Sequence, residues 1–389
     1  MKVNENIKSL FLLNKNITYL NHGSFGACPK PIFEKLLDFQ YLLEKQPVDF
    51  LENQFEKRMY QSRKALSKFI KCPINNLVLF ANPTTAMNEV IKSLDLNPGD
   101  EIITTNHEYG AIDKTWEYVC RNSGSIYKKQ CINTPIVSKE QVISELFDGV
   151  NDNTKILFIS HITSPTGIIF PIKEICNIAK EKKLITIVDG AHVPGHIDLN
   201  IEQLNVDIYV GACHKWLLCP KGVSFLYVND LLQNQMKPLI ISWGFENDDF
   251  SDTEFQNNHL WQGTNDVSNY LTIPEAINFR TQYNWGDVSN MCKQTIKDFH
   301  FMIHNEFNIQ PIVTCDINDW LGQMCTFPFP IKINDVPNMK KKMIDYYKIE
   351  IPIIFWNNNI YLRISINGYN NSNDIERLID CLKQEYIYK

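Results

Sequence analysis

Lys215 and Asp189 are the residues of this chain whose types and placement best support chemistry. Lys215 lies in Ala212-Cys213-His214-Lys215-Trp216, and Asp189 ends the apolar run Leu184 to Val188 within LITIVDGAHVPG. That run and the next, Ile208 to Gly211, both read as buried parallel strands. Neighbouring strands would carry an amine and a carboxylate to one edge of a sheet, where open α/β sheets bind ligands. A lysine that condenses with the aldehyde of pyridoxal 5'-phosphate, and a carboxylate that keeps its pyridine nitrogen protonated, are the minimal equipment for breaking bonds at an amino-acid Cα. Taken alone, Lys215 would be a solvated lysine and Asp189 a helix cap. The strand before each residue, the GAH after Asp189 and His214 beside Lys215 favour the chemical reading.

A phosphate needs backbone N–H groups at a helix start. The segment NPTTAMNEV supplies one, because Thr84 and Thr85 stand where the strand LVLF turns into a helix. Pro83 has no N–H, so Thr84, Thr85 and Ala86 are the expected donors.

The elements that would position these groups follow from the pattern around them. From Leu77 to Val228 short apolar runs alternate with amphipathic stretches. Helices are expected from about Thr84, Tyr109 and Pro171, and strands at LITIVD, DIYVGA and VSFLYV. Such alternation implies an α/β domain with a mainly parallel sheet covered on both faces. Earlier, PIFEKLLDFQYLLEKQ and the stretch from about Glu52 to Ile70 carry helical apolar spacing. After about Trp285 a helix from about Met291 to Phe307, strands near CTFPFPI and IYLRISI, and a last helix from about Asp374 read as a smaller α/β lobe. The expected division is an N-terminal segment 1–25, a large domain 26–285 and a small domain 286–389.

Composition narrows the function classes. At 389 residues the chain exceeds the roughly 250–300 over which one core usually grows. Its 44% hydrophobic and 21% charged residues are ordinary for a globular protein, and a net charge of −6 gives no reason to expect nucleic acid as partner. Apolar runs fall short of the about 18 residues that suggest a membrane span, and the N-terminus lacks a secretory pattern. Eleven cysteines, an odd number without CxxC pairs, fit reduced thiols in a cytoplasmic enzyme. No metal site is expected: Cys213, His214 and Cys219 lack a second ligand pair, and Pro194-Gly195 interrupt any helix that would align His192 with His196.

Eight segments, in order YLNHGSFG, NPTTAMNEV, NHEYGAI, SHITSPTG, VDGAHVPG, CHKW, QGT and LRIS, resemble the class V aminotransferase family from about Tyr19 to about Leu382. Their wording is most similar to the isopenicillin N epimerase-like branch. The resemblance implies a pyridoxal-phosphate-dependent fold of type I, with the N-terminal segment near the small lobe. It also implies roles. Lys215 would hold the cofactor and then carry the Cα proton, and Asp189 would face the pyridinium. His192 would meet the cofactor's phenolic oxygen, with Thr163 near it, and Tyr109 would stack on the ring. His214 and Thr264 would contact phosphate, Thr264 from the second subunit of a homodimer. Arg363 would receive the substrate α-carboxylate, for which a planar guanidinium is suited. Asn21 and His22 would line the substrate entrance.

The surrounding protein decides which Cα bond breaks. Desulfurase chemistry needs a mobile cysteine shortly before the arginine strand, and none stands between Cys325 and Arg363. Cα-proton abstraction on an amino acid or amino-acid-bearing substrate, as in an epimerase, is the leading expectation. β-Elimination by a C–S lyase comes next, then transamination. A cofactor-free binding or scaffold protein is the outlying alternative.

Overall fold

In the computed structural model, residues 5–247, 253–330 and 335–387 are described. The first strand, β1 (Thr18–Tyr19), is short. Next come the seven strands of the central sheet: β2 (Leu77–Phe80), β3 (Glu101–Thr105), β4 (Ile126–Gln130), β5 (Thr154–Ser160), β6 (Ile185–Gly190), β7 (Ile208–Ala212) and β8 (Ser224–Val228). Their spatial order is β2-β8-β7-β6-β5-β3-β4. Only β8 runs against its neighbours; the pairs from β7 through to β4 are parallel. The expected mainly parallel sheet is therefore present.

Burial explains why these strands read as continuous apolar runs. In β5, Leu157 and Ile159 join the hydrophobic cluster on one face, while Ile156 and Phe158 join the cluster on the other. A sheet covered on both sides selects apolar residues at every position. The crossover helices Pro83–Ser93, Gly110–Ser123 and Ile172–Glu181 begin within one residue of the positions that the sequence pattern indicates.

The C-terminal part builds β9 (Met324–Pro328), β10 (Ile349–Glu350), β11 (Ile353–Trp356) and β12 (Asn359–Ser365). Strands β11, β12 and β9 form an antiparallel sheet in that order, and β1 pairs in parallel with β10. The long helix Trp285–Phe307 starts six residues before Met291, because buried Trp285 and Val288 already anchor its first turn. Ahead of the helix Phe55–Ile70, residues Asp49–Gln54 form a π-helical turn rather than its continuation. No described helix is long and apolar enough to cross a membrane.

Candidate active site

Strands β5, β6 and β7 end side by side, with Ser160 opposite Asp189 and Gly190 opposite Gly211. Beyond those ends lies a cavity of about 310 Å³, whose lining includes Thr84, Tyr109, Asp189, His192, Lys215 and Arg363. Residues scattered over almost 280 positions of sequence thus meet at one sheet edge.

Lys215 follows β7 by three residues, and its backbone is held by the motif LNHGSFG. Gly26 adopts φ +69°, and a Cβ there would stand 2.2 Å from His214 O and 2.9 Å from Lys215 Cα. Only glycine permits that approach. The Lys215 amine lies 3.3 Å from His192 Nε2. On the other side of that ring, the Trp216 indole N–H donates to His192 Nδ1 at 3.4 Å. An indole nitrogen only donates, so Nδ1 is bare and the neutral ring's proton sits on Nε2, facing the amine. A donor facing Lys215 favours its free base. Burial, with Arg363 adding repulsion and Asp189 pulling the other way, brings the Lys215 amine down to about 8. Burial also drives His192 well below the usual histidine range, with Lys215 and Arg363 adding to it.

Asp189 is 4% exposed and accepts the Ala191 N–H on Oδ1 at 2.9 Å. Burial raises its pKa, against the lowering effect of that N–H and of Lys215. A carboxyl in this state gains charge most readily when a cation arrives, as a protonated pyridine nitrogen would.

Helix Pro83–Ser93 points its first turn at the same cavity, which Asn82, Pro83 and Thr84 line. The expected trio of phosphate donors needs correction. Thr85 N–H is taken by the Asn82 side chain at 2.9 Å, and Ala86 N–H bonds Asn82 O at 3.3 Å. Thr84 is the member of the trio that reaches the cavity. His214 also lines it, anchored by a bond from Nδ1 to Val223 O at 2.9 Å. Burial, then Lys215, lower His214 to about 4, while Val223 opposes them. Tyr109 stands at the start of helix Gly110–Ser123 with 46% of its surface exposed, a large apolar ring bordering the cavity.

Arg363 projects from β12 and is 4% exposed. It donates to Ser24 Oγ at 2.9 Å and to both the carbonyl and the hydroxyl of Ser164. Its Nε has no hydrogen-bond partner, and it forms no ion pair among the described residues. Burial lowers it to about 10, leaving it a cation. Half-buried Arg280 differs: it donates to Trp216 O and Gly195 O, tying two loops together.

Four expected residues lie elsewhere. Thr163 is wholly buried; its hydroxyl meets Thr166 and receives the Ile168 N–H at 2.9 Å, so it shapes a turn and leaves the cavity to Ser164. His22 is also wholly buried, bonded to the Tyr369 hydroxyl at 3.0 Å with its ring tilted against Trp216, and its Nε2 meets the Lys215 carbonyl at 3.1 Å. Asn21 does not line the cavity; its side chain accepts from Ser24, which in turn holds Arg363. Thr264 is exposed on a different surface, beside Trp261 and Asn265. Asn82, Ser24 and Ser164 are the functional residues the sequence reading passed over. Asn-Pro-Thr-Thr is a readable cap signal, whereas the two serines gave none.

An amine, an acid, a helix N-terminus and an unpaired guanidinium at the carboxyl ends of a mainly parallel sheet suit pyridoxal 5'-phosphate: Lys215 for its aldehyde, Asp189 for its ring nitrogen, Thr84 and His214 for its phosphate. The architecture is that of the type I pyridoxal-phosphate enzymes. It matches a cysteine desulfurase from Thermococcus onnurineus NA1 with TM-score 0.82 at 18% identity, covering 100% of this chain and 99% of that one. A cystine C–S lyase in complex with cysteine persulfide matches with TM-score 0.82 at 20% identity, covering 95% and 97%.

The chain belongs to the class V aminotransferase family, whose profile, Aminotransferase class-V, matches residues 19–378. Isopenicillin N epimerase of Amycolatopsis lactamdurans is 28% identical, covering 97% of this chain and 98% of the relative. A probable chloroplastic L-cysteine desulfhydrase of Arabidopsis thaliana is 25% identical, covering 93% and 82%.

Proposed function

We propose that this protein is a pyridoxal-phosphate enzyme that moves the Cα proton of an amino acid or amino-acid-bearing substrate, in the manner of an epimerase. The observation that carries the reading is Arg363. It is a buried cation with an unpartnered Nε, in the cavity that also holds a lysine amine near neutrality. Burying a charge without a partner is costly, and a substrate α-carboxylate supplies the missing one. Bound there, the cofactor contributes an electron sink for the pair left behind when a Cα bond breaks.

The chain's own residues divide the remaining work. Arg363 fixes the carboxylate end of the substrate, with Ser24 and Ser164 holding the guanidinium in plane. Lys215, whose amine burial brings down to about 8, would take the Cα proton as a base. His192 keeps the amine oriented through Nε2, and Trp216 fixes the tautomer that allows it. Asp189 sustains positive charge on the ring nitrogen. Tyr109, which borders the same cavity, would cover the ring, and its phenol is our candidate for returning the proton. Thr264, remote from this cavity within one chain, would serve the phosphate of the neighbouring subunit in a homodimer. The eleven free cysteines support a reducing, cytoplasmic setting.

A C–S lyase acting on a cysteine-derived substrate is the second reading, favoured by the desulfhydrase relatives. Transfer of sulfur to an enzyme thiol has no support: Cys325, in β9, is 1% exposed, and burial pushes its thiol far up. Incubation with candidate amino acids in heavy water is the test. Deuterium at Cα with retention of the side chain is expected; release of a keto acid without exchange would favour the lyase and overturn the epimerase.

A further inference from the structure

Glu108, the acid in NHEYGAI, is buried one layer behind the cavity and takes no part in the account above. We propose that Glu108 rests as a neutral carboxylic acid. Through Ser160 it presents a hydrogen-bond donor to the cavity floor beside Asp189, which makes it a positioning residue for that carboxylate. The cofactor-related part rests on the reading under Proposed function.

A chain of buried contacts fixes where the protons lie. The His107 backbone N–H donates to Thr105 Oγ1 at 3.1 Å. Thr105 is wholly buried, and its own proton goes to Glu108 Oε1 at 2.6 Å. The other oxygen, Oε2, lies 2.6 Å from Ser160 Oγ. Were Glu108 charged, Ser160 would donate to it and turn only lone pairs toward the cavity it lines. With a proton on Oε2 the direction reverses, and the serine proton is released toward the cavity. Ser160 and Asp189 are register partners on adjacent parallel strands, so their side chains share a face. The donor therefore emerges next to the carboxylate.

The groups around Glu108 favour the neutral form. Asp189 of β6 and Asp113 of helix Gly110–Ser123 both act on it as like charges. Tyr127 of β4 directs its hydroxyl to Asp113 at 2.7 Å, and Lys129 pairs with Asp113 at 2.8 Å. The His107 ring is bonded to Thr166 and Ile132 O. No cation among the described residues pairs with Glu108. Burial raises its acid to about 8, although the two hydroxyls oppose the shift. Two buried carboxyls flank Ser160, and only one of them can hold charge cheaply. A neutral Glu108 reserves that charge for Asp189.

The test has two arms. In cofactor-free protein at neutral pH, the infrared difference between wild type and Glu108→Gln should show a protonated-carboxyl C=O band that titrates away near pH 8. Carboxylate bands alone would overturn the proposal. In the second arm, pyridoxal phosphate dissociation is measured from its absorption. Glu108→Gln, whose amide accepts from Thr105 and donates to Ser160, should stay within about twofold of wild type, while Ser160→Ala should raise Kd roughly three- to tenfold, the worth of one hydrogen bond. Equal loosening by both variants would overturn the relay. Should Glu108→Gln not fold, Ser160→Ala and the pH titration of the wild-type band carry the two arms. A wild type that shows the band yet binds no cofactor would sink the reading under Proposed function and leave the neutral acid standing.

Discussion

Helix Pro83–Ser93 touches two buried polar sites that are built on opposite terms. At its middle, Glu89 and His259 are almost fully buried and 2.5 Å apart. The second Glu89 oxygen accepts the Leu239 N–H at 3.1 Å, and His259 Nδ1 meets Phe255 O. Every polar atom of the pair has a partner. At the start of the same helix, Arg363 keeps an unpartnered Nε, Asp189 holds one backbone N–H, and Lys215 faces a neutral imidazole. The first arrangement closes on itself and joins two helices. The second is satisfied only by a ligand. Of these two sites, the fully hydrogen-bonded one reads as structural and the incompletely bonded one as the place for a ligand.

Substitutions at the two sites should therefore separate activity from stability. Lys215→Ala should lower turnover by at least about 10³-fold, the range expected for losing a base and covalent anchor, with an unfolding midpoint in urea close to wild type. His259→Ala should do the reverse, costing about 1–3 kcal/mol because a buried Glu89 oxygen loses its hydrogen-bond partner, measured by the same unfolding curves. Arg363→Met should raise KM by roughly 30- to 100-fold, about 2–3 kcal/mol for a charged hydrogen-bonded contact, yet leave stability unchanged or higher. A loss as large as that of His259→Ala would erase the distinction between the sites.

A pH slope in stability is also expected. Burial lowers His22, His161 and His196 from 6.5 to about 3. Their folded pKa lies below the unfolded one, so between pH 6.5 and 3 the unfolded chain binds more protons. Stability is complete above 6.5 and falls as pH drops, by up to about 1.4 kcal/mol per unit for each histidine. Urea midpoints that stay flat across that window would contradict their neutral burial.

Strand ends proved readable where tertiary partners did not. Asp189 and Lys215 stand out because each follows an apolar run that only a doubly covered strand requires. Arg363 stands out as a lone charge in such a run. Thr163 and His22 misled because a short polar residue within a motif looks the same whether it faces a ligand or closes a turn. Their partners, Ile168 and Tyr369, are fixed only by the fold. Thr85 and Ala86 were assigned by counting N–H groups at a helix start, without crediting Asn82 as the cap that consumes one. The reversal of β8 and the pairing of β1 with β10 depend on contacts far apart in sequence, beyond the reach of local periodicity.

In the proposed function Lys215 would bond the cofactor's aldehyde and Asp189 its ring nitrogen. Borohydride reduction of the purified, cofactor-loaded protein, followed by peptide mapping, tests it most directly. A yellow protein that bleaches on reduction and carries the pyridoxyl label on Lys215 is expected. A colourless protein, or a label on any other lysine, would contradict it.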